Sequence, residues 1–257
     1  MSLANERSKT VSLQEMKRAS SERQLRIQLA ACYRIFDMLG WVEMIFNHIT
    51  VRVPGPEVHF LINPFGLHYR EVTASNLVKI DLQGNPVGPS NFPVKRAGFV
   101  IHSAIHGARH DAQCVMHTHT TSGVAIACQK DGLGTNNFYS AMLNGQIAYH
   151  DFEGVTVVDD EKPRLLASMG DKNLLILRNH GLLACGDSIA SAFHRLWTLQ
   201  RACDVQLAAQ SAGVPLIQPS PAEVNHSTNV PKHLEPAQKD NVKVFSFSMR
   251  RVDGIDR

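Results

Sequence analysis

The chain has no long apolar run. Nothing in its 257 residues approaches the roughly 20 consecutive apolar positions that a bilayer-spanning helix needs, and its first ten residues carry no apolar signal core. Cysteine is sparse and unpatterned: Cys32, Cys114, Cys128, Cys185 and Cys203 form an odd set of five without a Cys-x-x-Cys. That excludes a disulfide scaffold and a cysteine zinc cluster, and favours buried thiols in a reducing compartment. The expected location is the cytoplasm, with no membrane partner. Charge of one sign is also missing. Lys and Arg number 26 against 23 Asp and Glu, a net +3, with no basic block and no aromatic-interleaved basic patch, so no nucleic-acid partner is expected. There is no internal repeat and no glycine-rich phosphate loop.

What is present is enough apolar material, 44% of the residues, to bury one large core. From Ser21 to Leu39, apolar residues at Leu25, Leu29, Cys32, Ile35, Phe36 and Leu39 follow helical spacing, and Gly40 ends the helix. Ile45 to Val53 alternates with period two, Asn47 sharing the parity of Ile49, Val51 and Val53. An amide on that apolar face needs partners, from backbone or from a ligand in a cleft. Strands are expected at Val58–Ile62, Val78–Asp81, Gln146–Phe152 and Val155–Val158. Helices are expected from Thr73, over Phe99–Arg109, Ser122–Gln129 and Lys162–Met169, and from an Asp187 or Ser188 cap to about Ala212. Asp131 to Asn144 reads as loop. The domain plan is a polar segment over 1–20, one domain over 21–213, and a proline-containing tail or intersubunit arm over 214–257.

Histidine is the chemistry-bearing residue. On a strand, His117 and His119 of Val115-Met116-His117-Thr118-His119 project to one side and can close on one ion. His180, after the apolar run Leu174–Leu177, supplies a third imidazole, and Gly181 behind it frees the backbone to turn away. Three imidazoles without a fourth protein ligand suit a catalytic metal site, because a coordination position stays open. A chain with 13 histidines also produces a His-x-His by chance. A second row, His102, His106 and His110, recurs every four residues without an intervening carboxylate, and reads as packing or surface histidines.

Several stretches together resemble the class II aldolase and adducin-head family. They are Gly40-Trp41, Phe46-Asn47-His48-Ile49-Thr50, Asn63-Pro64-Phe65-Gly66-Leu67, Val72-Thr73-Ala74-Ser75-Asn76-Leu77, His102-Ser103-Ala104-Ile105, His117-Thr118-His119, Ala148-Tyr149-His150-Asp151 and Leu177-Arg178-Asn179-His180-Gly181. The likeness runs from about Gln24 to Gly213, and Phe46 to Thr50 and Ala148 to Asp151 lie closer to adducin heads than to sugar-phosphate aldolases. It implies an α/β fold, a three-layer α/β/α sandwich around a largely antiparallel central sheet, assembled as a homotetramer. It also implies one divalent metal per subunit on His117, His119 and His180, commonly zinc, with manganese or another transition metal as alternatives. Asn47 and Gly66 match positions lining the aldolase phosphate pocket.

The departures bear on function. Where the aldolases carry Ser-Ser-Glu, with phosphate-holding serines and an acid/base carboxylate, this chain has Arg96-Ala97-Gly98. Gly98 cannot move a proton, and Arg96 could still attract an anion. The implied activity is a metal-dependent lyase, aldolase or decarboxylase, acting on a small hydroxy-carbonyl or keto-acid substrate through a metal-stabilised enediolate. Tyr139, Tyr149 and His150 are candidate proton carriers, because the family places loops of this region near the metal of an adjacent subunit. Tyr139 and His150 are the catalytic residues named on that basis. The alternative is a non-catalytic adducin-head-like module for actin or spectrin assembly, although the chain lacks the long Lys-rich adducin tail.

Overall fold

The computed structural model of the protein describes residues 13–94, 99–155, 159–233 and 245–246. The apolar stripe through Leu29, Cys32 and Phe36 winds helix α1 (Leu13–Met38), and Gly40, at φ 72°, turns the chain out of it. Strands β1 (His48–Val53), β2 (His59–Ile62) and β3 (Val78–Ile80) follow, then helix α2 (Val100–Ala108) and strand β4 (Cys114–Thr118). Two short helices, α3 (Thr121–Ala127) and α4 (Phe138–Met142), precede β5 (Ile147–His150), α5 (Lys162–Met169), β6 (Leu174–Leu177) and β7 (Gly181–Gly186). Long helix α6 (Ile189–Ser211) and then α7 (Pro221–His233) complete the described strands and α-helices.

The seven strands form one sheet in the order β3-β2-β1-β4-β7-β6-β5, and only the β5–β6 pair is parallel. Alternation along the central strands divides the core in two. Met116, Ile176, Leu182 and Ala184 face the layer of α1, α3 and α6, where Phe36, Ile126, Phe193 and Leu196 pack. Val115, Leu175, Leu177 and Leu183 face α2 and α5, where Ile101, Ile105, Leu165 and Met169 pack. Both faces being covered explains why these strands read as continuous apolar runs. Each fully buried aliphatic side chain contributes about 1.5–3 kcal/mol relative to exposure. The architecture is the expected three-layer sandwich around a largely antiparallel sheet.

Four local expectations differ. Helix α1 starts at Leu13, inside the expected polar segment, and residues 17–20 are exposed, so no apolar periodicity marked the extension. At Thr73 the chain makes a turn and no helix. The Thr73 amide donates to Asn76 Oδ1 (2.8 Å) and the Asn76 amide to Thr73 Oγ1 (3.3 Å), local bonds that replace helix propagation. The stretch from Asp131 to Asn144 contains α4, capped by Asn137. The tail contains α7, whose Thr228 hydroxyl donates to the Ala141 carbonyl of α4 (3.0 Å). Of the strand expected at Val155–Val158, residues 156–158 lie outside the described residues.

Candidate metal centre

The centre is built where β4 and β7 run out of the sheet together. His117 pairs with Leu183, and Thr118 with Leu182, so the end of β4 lies beside the start of β7. His119 follows the last strand residue and His180 closes the turn between β6 and β7. The ring nitrogens of His117, His119 and His180 lie within 4.8 Å of one another. His117 Nδ1 donates to the Leu182 carbonyl (2.8 Å), which leaves Nε2 with its lone pair facing His119 Nε2 at 2.7 Å. Such a hydrogen bond to backbone is the outer contact that fixes the tautomer and direction of a ligating imidazole.

Burial keeps these rings neutral, the form that binds metal. Burial, reinforced by the neighbouring His180, pushes His117 well below the ordinary histidine value. It lowers His119, while the nearby Glu43 carboxylate pulls the other way, and it takes His180 down to about 4 with a smaller contribution from His119. Gly181 completes the fit. A Cβ there would drive into the Thr118 carbonyl and reach 3.1 Å from His119 Cδ2 and 3.3 Å from His117 Cε1. The sharp turn expected of Gly181 is made by Asn179, at φ 56°. Gly181 serves instead to let the two imidazoles close against the backbone. The donor set, its fixed tautomer and this cradle suit a divalent ion held by three neutral nitrogens.

The three histidines open into a cavity of about 880 Å³, also lined by Glu43, Phe46, Asn47, His48, Asn63, Phe65, Phe152 and Val155. Asn47 is buried, and its amide nitrogen donates to the Trp41 carbonyl (3.3 Å). Gly66 is exposed, at φ 98°, in the turn beside the lining residue Phe65. Arg96 and Gly98 lie outside the described residues.

The proposed proton carriers are placed elsewhere. Tyr139 packs edge-on against Trp197 at 5.8 Å, and the Arg201 guanidinium lies 5.8 Å over its ring. The Tyr149 hydroxyl accepts from the Leu133 amide (3.0 Å), and Arg178 lies over its ring. His150 sits between Ser168 Oγ (2.9 Å) and Glu161 Oε1 (3.3 Å), tying β5 to α5. None of the three lines the cavity of its own chain.

The second histidine row divides as packing and surface. His106 Nδ1 donates to the Ala112 carbonyl (3.0 Å), so its Nε2 accepts from the Thr50 hydroxyl (2.8 Å), and Thr50 Oγ1 in turn accepts from His102 Nδ1 (2.7 Å). Burial holds His106 at about 3 and His102 well below the ordinary value. His110 is exposed. Sequence reasoning assigned no role to Glu43, His48 or Asn63. The sheet register, which sets His48 directly opposite His117, and its place in the cavity wall show that His48 belongs to the centre.

Fold and centre together define an α/β sandwich with a three-imidazole pocket at one end of the sheet. The sequence pattern of the Class II Aldolase and Adducin N-terminal domain matches residues 27–207, and the chain belongs to this family. It is 51% identical over 199 residues to a Pseudomonas aeruginosa protein provisionally named a class 2 aldolase, covering 77% of this chain and 76% of that one. It is 48% identical over 198 residues to rat (Rattus norvegicus) alpha-adducin, covering 76% of this chain and 27% of that protein. Among solved structures, L-fuculose 1-phosphate aldolase from Glaciozyma antarctica PI12 is similar with a TM-score of 0.81 and 30% identity, covering 98% of this chain and 97% of that one.

Proposed function

We propose that the protein is a divalent-metal-dependent lyase, aldolase or decarboxylase in type, acting on a small hydroxy-carbonyl or keto-acid substrate. The observation that carries the reading is the convergence of His117, His119 and His180 on an enterable cavity, with His117 Nδ1 tied to Leu182. A bound ion, zinc first and manganese or another transition metal second, supplies Lewis-acid stabilisation of the negative charge that develops on substrate oxygen. The chain's own contribution is orientation and enclosure. Leu182 fixes the His117 ring, Gly181 admits the rings to their positions, and Phe46, Phe65 and Phe152 supply apolar walls.

Gly98 takes away the acid/base carboxylate of the aldolases, help worth about 10²–10⁴-fold in rate. Loss of carbon dioxide needs no base to start it, so a decarboxylase tolerates this change better than an aldolase does. Tyr139 and His150 carry protons in this reading only from one subunit to the cavity of the next. Phe46, Phe152 and Val155 are 47%, 53% and 80% exposed at the cavity, which supports cover by a neighbouring copy in a homotetramer. Four of the five cysteines are buried, in keeping with a cytoplasmic protein, and among the described residues no helix is long and apolar enough to cross a membrane.

The test is metal content and turnover of protein purified without chelator, for wild type and for His117→Ala, His119→Ala and His180→Ala. One ion per wild-type subunit is expected, with chelator-sensitive cleavage of a ketose or a keto acid, and both are lost in each variant. A triple variant that keeps one tightly bound ion per subunit refutes the centre. A second reading, the adducin-like assembly module with actin or spectrin as partner, is favoured by the alpha-adducin match together with Gly98. A metal-loaded protein inactive on every candidate substrate selects it.

A further inference from the structure

The cavity beside the three histidines presents two buried hydrogen-bond acceptors that no group of the chain satisfies, and its lining side-chain donors include Asn63 and Thr121. Asn47, 2% exposed, spends its amide nitrogen on the Trp41 carbonyl, and its Oδ1 is buried with no partner. His48, 7% exposed, points Nδ1 at the Phe46 carbonyl (3.4 Å), so that nitrogen carries the hydrogen and Nε2 is an acceptor, also buried with no partner. Both residues line the cavity, and the Glu43 carboxylate adds further acceptor oxygens and a negative charge. Among the described lining residues there is no Lys or Arg. A buried acceptor without a donor is unfavourable, and the ligand or water that supplies the donor relieves it. A phosphate group brings acceptors and negative charge to walls that already present both.

We propose, on the reading of the centre given above, that the cavity selects an unphosphorylated, polyhydroxylated substrate, whose hydroxyls beyond the metal-binding pair donate to His48 Nε2 and Asn47 Oδ1, while Glu43 disfavours a phosphate. Specificity then lies in hydroxyl count. A site whose acceptors must be matched discriminates against an analogue lacking the donor, because the acceptor is left unpaired.

The experiment is calorimetric titration of the zinc-loaded full chain with three dead-end ligands that share one metal-binding end: glycolate, glycerate and 3-phosphoglycerate. Glycerate adds a hydroxymethyl group to glycolate, and 3-phosphoglycerate converts that group's hydroxyl to a phosphate ester. Glycerate is expected to bind about three- to tenfold tighter than glycolate, the yield of one matched hydrogen bond, with 3-phosphoglycerate weaker than glycerate. His48→Phe, checked for a native melting transition, is expected to bring the glycerate-to-glycolate ratio to about one. Should that variant fail to fold, Glu43→Gln at its exposed position still reads the phosphate arm, and is expected to narrow the preference for glycerate over 3-phosphoglycerate. Tightest binding of 3-phosphoglycerate by wild type overturns the proposal, as does glycolate binding with no gain for glycerate. Failure of all three ligands to bind overturns it together with the metal-lyase reading, whereas zinc-dependent glycolate binding alone leaves that reading standing.

Discussion

Replacing Gly181 by alanine should damage the metal centre more than it damages the fold. A Cβ at this position meets the Thr118 carbonyl at a separation real Cβ atoms do not show, and reaches 3.1 Å from His119 Cδ2 and 3.3 Å from His117 Cε1. The backbone clash is the rigid one, because Thr118 is held in register against Leu182. Relief requires β7 to draw away from β4 or the two imidazoles to turn, and either movement disturbs the His117 Nδ1 bond to Leu182. Overpacking of this kind costs about 1–3 kcal/mol, which for a chain of this size lowers the melting temperature by roughly 2–4 °C per kcal/mol. Loss of an orienting contact alone weakens metal by about 10–100-fold. Gly107→Ala is the control: its Cβ meets only Leu82 Cδ2 at 3.7 Å, and Ala is favoured over Gly by about 0.5–1 kcal/mol inside a helix. Zinc affinity by chelator competition and melting by circular dichroism should separate the two variants. If Gly181→Ala binds zinc like wild type and melts with it, the close approach of the rings to the backbone is wrong.

Below neutral pH the metal-free protein should lose stability. The ordinary histidine value of about 6.5 applies when the chain is unfolded, whereas burial holds folded His106 at about 3, so the unfolded state takes up the proton first. Stability is therefore complete above about pH 6.5 and declines toward pH 3, by about 1.4 kcal/mol per pH unit for each such histidine, and a flat urea midpoint from pH 7 to 5 would contradict it. Light scattering at micromolar concentration should give a tetramer, and a monomer refutes the intersubunit assignment of Tyr139 and His150. Gly98→Glu should weaken binding of keto and hydroxy acids by placing a carboxylate where the resemblance puts one beside the metal; restored retro-aldol cleavage of a small ketose phosphate would instead mark a decayed aldolase.

What could be read from sequence was whatever periodicity carries over many residues. The core stripe of α1, the Lys162–Met169 helix and the Leu174–Leu177 strand follow from apolar spacing, because each buries a face against a layer that repeats. Helix α7 had a signal of another kind. In Ser220-Pro221-Ala222-Glu223 the Ser220 amide and hydroxyl both donate to Glu223 Oε2 (2.7 and 2.8 Å), a capping box with proline at the first helical position. Proline count and weak amphipathicity hid it. Helix α4 is five residues long, too short for any period to register.

The site divides along the same line. His117 and His119 were legible because a strand fixes their parity within three residues, and His180 was reachable because it follows an apolar run. His48 was not, because its place depends on pairing across sixty-nine residues of chain, His48 against His117, that no local pattern states. Thr50 shows the same dependence from the other side. One hydroxyl on β1 receives His102 Nδ1 and donates to His106 Nε2, which turns a helical row of histidines into a buried relay ending on the Ala112 carbonyl. Spacing on α2, without an intervening carboxylate, favours packing over metal ligation but does not show what the rings pack against. The strand laid against it decides, because once Nδ1 of His102 and both nitrogens of His106 are spent on Thr50 and Ala112, the two buried members of the row keep one acceptor, His102 Nε2, while His110 lies exposed at the surface. Among the described residues, the imidazoles that come close enough together to share an ion are therefore His117, His119 and His180.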